Sequence, residues 1–218
     1  MNAFEIKDRF RKNLTKYILQ AYHSFPEMDN PDILDLGCGT GESSIFLSGI
    51  SNGSIFAVDS DSDALEWFKK KLHDKQLDER IKVIQSSVFD VDFQGKKFDI
   101  VLAEGLFNII GFKKGLSLVN KHINPGGMLI IHDELADEDS KEKLIREMGY
   151  AMINSFKLPD NTWREDYFLP METFLKSARI DNSDPQLKDL WIEIEFCKKY
   201  PERCRSIYYI LQKQQKNK

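Results

Sequence analysis

The stretch DLGCGTGE, residues 35–42, decides the fold of this chain of 218 residues. A short apolar run precedes it, and apolar positions at helical spacing follow it. This layout predicts a strand, a glycine turn and the start of a helix. Glycines at alternate positions let the backbone turn tightly and bring N–H groups close to a ligand. We therefore expect a nucleotide-type cofactor site at this turn.

The spacing of the glycines and the acids beside them narrow the class of ligand. A dinucleotide fingerprint of the form GxGxxG needs its third glycine at position 42, where the chain has Glu42. A carboxylate at the N-terminus of a helix also repels a pyrophosphate. Asp35 adds a second negative charge beside the turn. Two acids here favour a cationic ligand without phosphate, and S-adenosylmethionine, with its sulfonium and ammonium groups, is such a ligand.

The composition is that of an ordinary globular protein. Hydrophobic residues make up 41% of the chain, and 31 basic against 35 acidic side chains give a formal charge of −4. No basic excess indicates nucleic acid binding, and no apolar run approaches the ~18 residues of a membrane span. The N-terminus lacks the apolar segment of a secretory signal, and the three cysteines include no CxxC pair. We expect a reduced, cytoplasmic chain without a nucleic acid or membrane partner.

Strand-like and helix-like segments alternate along the chain, which predicts a mostly parallel sheet covered on both faces. An amphipathic helix precedes the first strand, and Pro125-Gly126-Gly127 is predicted to be the turn before the fifth. Two last strands joined by a helical insert would add an antiparallel edge. The predicted strands are 33–36, 54–59, 81–85, 98–103, 128–132, 151–158 and 206–212. The predicted helices are 4–22, 42–49, 62–75, 112–122, 137–149 and 170–200.

Five segments resemble, in the same order, the motifs of class I S-adenosylmethionine-dependent methyltransferases. DILDLGCGTGESS resembles the first motif, and IFAVDSDSDAL resembles the second, which has an acid at the end of strand two. IKVIQSSVFDVDF, FDIVLAEGLFNI and INPGGMLIIHDE are similar to the segments that follow. This likeness covers residues 30–135. A looser likeness, to small-molecule methyltransferases of the quinone-biosynthesis type, extends to residue 170 and beyond.

The resemblance implies an α/β fold with a Rossmann-like, doubly wound sheet of seven mostly parallel strands, an antiparallel edge strand and helices on both faces. We expect one methyltransferase domain over 1–218. It would comprise an N-terminal helical cap over 1–28, a cofactor-binding core over 30–135, and a cap insert with the last two strands over 136–218. The implied cofactor is S-adenosylmethionine, with S-adenosylhomocysteine as the product.

The candidate cofactor contacts lie where the first four strands end. Asp35 could reach the ammonium group of the ligand, and Asp59 could accept hydrogen bonds from both ribose hydroxyls. Asp61, with Ser62 and Asp63, is better placed to cap the next helix. Ser87-Val88 stands where the family usually has Asp-Ala beside the adenine. The expected cofactor-binding residues are Asp35, Gly37, Cys38 through its backbone, Gly39, Asp59, Ser60, Ser87, Val88 and Glu104.

The candidate catalytic residues are Glu104 and His132, which end strands four and five. A histidine at this edge could remove a proton from the acceptor, and a structural histidine is the alternative. Glu104 with two acids after His132 also resembles the carboxylate cluster of magnesium-dependent catechol-type enzymes, although no metal is predicted. We expect an acceptor pocket lined by Tyr17, Trp163 and Tyr167, because aromatic faces attract a sulfonium.

The predicted function is methyl transfer from S-adenosylmethionine to a small-molecule acceptor by in-line displacement. One alternative is a non-catalytic protein of the same fold that binds the cofactor or a metabolite. A second alternative is an NAD-dependent oxidoreductase, which Glu42 and the glycine spacing disfavour. The sequence leaves open the acceptor, the methylated atom and the oligomeric state.

Overall fold

Seven strands form a sheet in the computed structural model, which describes residues 1–180, 185 and 187–215. In chain order they are β1 (Asp32–Leu36), β2 (Ser54–Asp59), β3 (Ile81–Gln85), β4 (Phe98–Glu104), β5 (Ile123–Glu134), β6 (Tyr150–Lys157) and β7 (Ser206–Lys213). Their spatial order is β3-β2-β1-β4-β5-β7-β6. The pairs from β3 to β5 are parallel, whereas β7 runs antiparallel to both of its neighbours.

Helices connect the strands and cover the sheet. They are α1 (Ala3–Arg11), α2 (Thr15–Tyr22), α3 (Glu42–Ile50), α4 (Ser62–Lys75), α5 (Phe107–Ile110), α6 (Phe112–His122), α7 (Glu138–Glu147), α8 (Leu169–Ser177) and α9 (Lys188–Lys199). Short 3-10 turns occupy Lys12–Leu14 and Pro201–Cys204, and a π-helical segment occupies Trp163–Phe168. None of these helices in the described ranges is long and apolar enough to cross a membrane.

Both faces of the sheet are buried, which explains the continuous apolar character of its central strands. In β1, Ile33 and Leu34 are fully buried and belong to different clusters, because successive side chains point to opposite faces. The cluster containing Leu34 packs against Phe107 and the α6 side of the sheet. The cluster containing Ile33 packs against Leu47 and Phe68 of α3 and α4. The three-layer core therefore holds the ends of β1, β2 and β4 in fixed positions.

A third apolar cluster joins the N-terminus of the chain to the segment between β6 and β7. Ile6 and Phe10 of α1 pack with Met171 and Leu175 of α8 and with Ile194 of α9. Lys16 and Asn13 bind Asp166 through a 2.7 Å ion pair and a 2.8 Å hydrogen bond. We call this assembly of α1, the π-helical segment, α8 and α9 the cap.

The predicted fold class is confirmed, and the antiparallel strand is β7, which lies between β5 and the edge strand β6. The predicted single helix over 170–200 is wrong. Two helices occupy this range, because the chain turns after Ser177 with Arg179 in the left-handed conformation (φ 58°). Residues 181–184 and 186 of that prediction lie outside the described residues.

Two smaller predictions also need correction. The predicted helix over 4–22 is interrupted at Lys12–Leu14 by a tighter 3-10 turn. The predicted turn Pro125-Gly126-Gly127 lies inside β5, because the strand already pairs with β4 at Ile123. The register then shifts between Phe98 and Ile100, so this turn is an irregularity within the strand.

Candidate functional site

The site lies at the carboxyl ends of β1, β2 and β4. β1 has β2 on one side and β4 on the other, so the connections leave in opposite directions and open a crevice there. Asp35 is next to last in β1, Asp59 ends β2 and Glu104 ends β4. The periodicity of the strands predicted these three positions correctly, and the structure brings the three carboxylates to the same edge.

The glycine turn after β1 is tightly bonded to β2. The amides of Gly37 and Cys38 donate to the carbonyl oxygen of Val58 at 2.8 and 3.1 Å. The amide of Gly39 donates to Oδ2 of Asp59 at 2.7 Å. The expectation that these N–H groups face a ligand therefore needs correction, since they bond within the chain. Their role is to hold the turn and to orient the Asp59 carboxylate.

Gly41 has a packing role that the spacing of the motif does not show. It begins α3 in the left-handed conformation (φ +77°), and a Cβ placed there would lie 2.2 Å from the ring of Phe68. Phe68 is fully buried in the core between α3 and α4, so its ring has no space to retreat. A glycine at this position lets the start of α3 press against α4.

The end of β2 has the hydrogen bonds expected of an oriented acid and a helix cap. Oδ1 of Asp59 accepts the amide of Asp61 at 2.9 Å. Asp61 caps α4 by accepting the amides of Asp63 and Ala64, which confirms its predicted role. Ser60 lies between them and is exposed. Both oxygens of Asp59 keep further lone pairs for a ligand.

The predicted adenine residues lie in the turn after β3. The carbonyl oxygen of Ser87 accepts the amides of Asp90 and Val91, and its hydroxyl accepts the amide of Phe89 at 3.2 Å. The side chain of Val88 is buried in the core. These bonds fix the turn beside β2, and contact with an adenine stays a prediction.

Asp35 is a buried carboxylate without an ion pair among the described residues. Its Oδ2 accepts the hydroxyl of Ser44 at 2.6 Å. Burial raises the pKa of Asp35 to about 7, and the negative charges of Glu104 and Asp59 act in the same direction. A cation brought to this position would favour the ionised form.

Glu104 is the centre of a hydrogen-bonded cluster. Its Oε1 accepts the hydroxyl of Tyr208 at 2.6 Å and lies 3.5 Å from Nδ1 of His132, and its Oε2 accepts the hydroxyl of Ser43. Burial alone would raise the pKa of Glu104. The hydrogen bond and charge of His132, with Arg11 and Ser43, outweigh it and lower the pKa to about 2. Glu104 is therefore ionised, and Tyr208 remains protonated because burial and Glu104 raise its pKa.

His132 is held between this cluster and Ser206. Its Nε2 lies 2.9 Å from the hydroxyl oxygen of Ser206, which also accepts Nε1–H of Trp163 at 2.9 Å. The imidazole stacks on Tyr208 at 4.2 Å and lies parallel to Trp163 at 5.9 Å. With Trp163 donating to it, Ser206 can donate its own O–H to Nε2, which leaves Nδ1–H for Glu104. Sequence reasoning missed Ser206, because the antiparallel pairing of β7 with β5 determines its place.

A cavity of about 410 Å³ adjoins His132 and Ser206. The apolar side chains Trp163, Phe168, Ile192 and Phe196 form much of its lining. Tyr17 and Tyr167, predicted to line an acceptor pocket, do not line this cavity. Tyr167 is buried in the cap, and the Tyr17 hydroxyl lies 3.1 Å from that of Thr162. Of the three predicted pocket residues, Trp163 alone lines it.

Helix α1 is fastened over the glycine turn by a buried acid. Asp8 is 4% exposed, and its carboxylate accepts the hydroxyl of Thr40, Nε1–H of Trp67 at 2.8 Å and Nζ of Lys71 at 2.6 Å. Lys71 also contacts Glu42, the acid at the start of α3. The Glu42 carboxylate, paired with Lys71, therefore occupies the helix start, where a pyrophosphate would have to bind.

The acids after His132 do not join Glu104. Asp133 bonds Nζ of Lys141 at 2.7 Å, and Glu134 is exposed. In the part of the chain that the structure describes, no three His, Cys, Asp or Glu side chains are grouped to hold a metal ion. The donor set at the edge of the sheet instead fits S-adenosylmethionine. Asp35, Asp59 and Glu104 place three carboxyl groups at this edge, which is the chemistry that a cationic ligand requires.

Comparison with known proteins gives matches in the same region. Residues 33–127 match the family model described as a methyltransferase domain. YodH, an uncharacterized methyltransferase of Bacillus subtilis, is 31% identical over 116 residues, which cover 53% of this chain and 47% of that protein. The demethylmenaquinone methyltransferase of Clavibacter sepedonicus is 33% identical over 100 residues, which cover 45% of this chain and 39% of that protein. The chain spans about half the length of such relatives.

Among solved structures, phosphoethanolamine N-methyltransferase 2 of Haemonchus contortus, in complex with S-adenosyl-L-methionine, superposes with a TM-score of 0.75. The superposition covers 97% of this chain and 57% of that one, at 15% sequence identity. At this identity the likeness shows a shared fold, including the sheet order found here.

Proposed function

We propose that the chain is a class I S-adenosylmethionine-dependent methyltransferase that methylates a small-molecule acceptor bound in the 410 Å³ cavity, in keeping with the methyltransferase-domain match over residues 33–127. One observation carries this proposal: the cavity is lined by His132 and Ser206, directly beside Glu104 at the carboxyl edge. Its volume lies within the range of about 300–1,000 Å³ that is typical of small-molecule sites.

The donor would bind on the β1–β2 side of Glu104. Asp59 is oriented to accept ribose hydroxyls, and Asp35 and Glu104 supply negative charge for the ammonium and sulfonium groups. Ser60, Ser87 and Val88 would lie along the nucleoside. When bound, S-adenosylmethionine supplies a methyl group on positively charged sulfur. The sheet edge thus separates a donor side from an acceptor side.

His132 is the candidate proton acceptor. Ionised Glu104 can accept Nδ1–H of the imidazole, which leaves Nε2 as the nitrogen that takes a proton. Ser206 is hydrogen-bonded to Nε2 and also lines the cavity, so its hydroxyl can relay a proton from the acceptor to Nε2. A positioned base of this kind contributes about 10²–10⁴-fold. Holding the acceptor in line contributes a further ~7–11 kcal/mol.

The lining of the cavity also supports a small acceptor. The cap lies over the sheet edge, and the aromatic rings of Trp163 and Phe168 leave a site of limited volume. The relatives named for phosphoethanolamine and demethylmenaquinone act on small molecules by their names. Acceptors of the quinone type are therefore one class to test.

The test follows a tritiated methyl group from S-adenosylmethionine. The purified protein is incubated with cell extract separated into small-molecule, protein and nucleic acid fractions. We expect label in the small-molecule fraction, with equimolar S-adenosylhomocysteine. Replacement of His132 by glutamine should lower transfer by about 100-fold or more, whereas His122→Gln, away from the site beside Phe93, should match the wild type.

The outcomes separate the alternatives. Label in the protein or nucleic acid fraction would overturn the small-molecule acceptor. Tight donor binding without any transfer would favour the non-catalytic binding protein. Equal transfer by His132→Gln and wild type would remove the base assignment and leave the acceptor assignment intact.

A further inference from the structure

Arg11, the last residue of α1, lies where the two sides of the site meet. It lines the 410 Å³ cavity and also the small space beside Ser43, Glu104 and His132. Its side chain is partly buried. A guanidinium group in this position is within reach of a molecule in the cavity.

Several of the charged side chains that line the cavity form ion pairs with neighbouring residues. Glu193 bonds Lys7 at 2.7 Å, and Arg205 bonds Asp160 at 2.8 Å. Asp133 is paired with Lys141 as described above. Arg203 is exposed and lies 5.3 Å from the ring centre of Phe196, and Glu134 is exposed at the rim. Arg203 is exposed, so Arg11 is the partly buried arginine of the lining that has no ion pair in the described ranges.

The guanidinium group of Arg11 makes no hydrogen bond or ion pair with any residue in the described ranges. The carboxylates of Glu104 and Asp8 act on it only through longer-range attraction. A guanidinium has five N–H donors, and withdrawing them from water without acceptors is unfavourable. Arg11 is therefore suited to bind an oxyanion with its planar pair of donors.

Several other residues that line the cavity are apolar. Ile192 and Phe196, one turn apart on α9, remain 55% and 39% exposed at its mouth. Trp163 and Phe168 continue this surface inward. Exposed apolar side chains that border a cavity mark a ligand groove. The cavity thus offers an apolar surface and, at Arg11, a partly buried guanidinium group without an ion pair in the described ranges.

We propose that the acceptor is an amphiphilic anion whose acidic group binds Arg11 and whose apolar body packs against Trp163, Ile192 and Phe196. This inference rests on the proposed function, since it assigns the cavity to the acceptor. Ser206 and His132 then face the part of the acceptor that receives the methyl group. The anionic group gives both orientation and selection against neutral molecules of the same shape.

The test uses two fluorescent probes with the same rings: anilinonaphthalenesulfonate, which is anionic, and N-phenylnaphthylamine, which lacks the sulfonate. Affinities are measured with S-adenosylhomocysteine present. We expect the wild type to prefer the anionic probe, and Arg11→Gln to lose about tenfold or more of that affinity with the neutral probe unchanged. Arg9→Gln is the matched control, because Arg9 is exposed and stacks on Phe174 outside the cavity.

The proposal would be overturned if Arg11→Gln bound the anionic probe as tightly as the wild type does, or if it lost affinity equally for both probes. It would also be overturned if Arg11→Gln lost affinity for S-adenosylhomocysteine, because Arg11 would then bind the carboxylate of the donor. Arg11→Lys keeps the positive charge but loses the planar pair of donors, and it replaces Arg11→Gln if that variant is unstable. Its affinity for the anionic probe should be lower than that of the wild type, with its affinity for the neutral probe unchanged. Methyl transfer to small molecules is measured separately, so the proposed function can stand if this inference fails.

Discussion

The surroundings of Asp35 disfavour the ionised form of its carboxyl group. It is 2% exposed, receives one hydrogen bond from Ser44 and faces two further carboxylates. The folded protein therefore holds a proton on Asp35 up to pH values near its pKa of about 7. This is an unfavourable arrangement for folding, and it is favourable for binding a cation.

The pH dependence of stability tests this arrangement. In the unfolded chain Asp35 has its ordinary pKa of 3.8, so between that value and about 7 the folded state binds more protons. Stability should fall as pH rises through this window, and the full penalty should remain above it. Asp35→Asn removes this penalty. The difference between its free energy of unfolding and that of the wild type should therefore increase by about 2 kcal/mol between about pH 5 and pH 8.

Chemical denaturation at several pH values measures that difference. Asp90→Asn is the control, because Asp90 is exposed and its variant should follow the wild-type curve. Parallel curves for Asp35→Asn and wild type would show that Asp35 is ionised at neutral pH in the folded protein.

Individual site residues differed in how far the sequence could predict them. Asp59 ends β2, Glu104 ends β4, and His132 lies two residues before the end of β5, so the predicted strands place all three near the carboxyl edge. Ser206 and Asp8 were missed, because the register of β7 and the docking of α1 decide their partners. No local pattern encodes either relation.

At the scale of elements, the glycine turn and α3 carry the sharpest prediction. Gly41→Ala places a Cβ 2.2 Å from the Phe68 ring and forces an L-residue into a left-handed backbone. We expect the free energy of unfolding to fall by about 2 kcal/mol or more. Differential scanning calorimetry would show this as a lower melting temperature.

Gly49→Ala, in the same helix, is the matched control. Gly49 is exposed, and a Cβ there meets nothing within 4 Å. Alanine is the better helix former, so this variant should gain about 0.5–1 kcal/mol. Equal stability of the two variants would contradict the packing role of Gly41.

Strands and helices of the core were predicted well because their patterns are regular. The bounds of β2 and β3 agree with 54–59 and 81–85, and α4 agrees with 62–75. The cap was predicted less well. The sequence of its π-helical segment, Trp163–Phe168, does not distinguish it from an ordinary amphipathic helix. The turn at Arg179 contains no glycine or proline that would mark it.

At the scale of the whole molecule, the sheet and the cap enclose one site with two sides. Under the proposed function, the carboxylates at the ends of β1, β2 and β4 would form the donor side, and the cavity beside the cap would form the acceptor side. Glu104 and His132, whose side chains are 3.5 Å apart, would lie where the two sides meet.

Calorimetric titration with S-adenosylhomocysteine tests the central claim most directly, because every role assigned here depends on the donor binding at this edge. We expect the wild type to bind, Asp59→Ala to bind about tenfold or more weakly, and the exposed control Asp63→Ala to bind as the wild type does. An absence of binding by the wild type at millimolar ligand, or equal affinity of Asp59→Ala and wild type, would contradict the account.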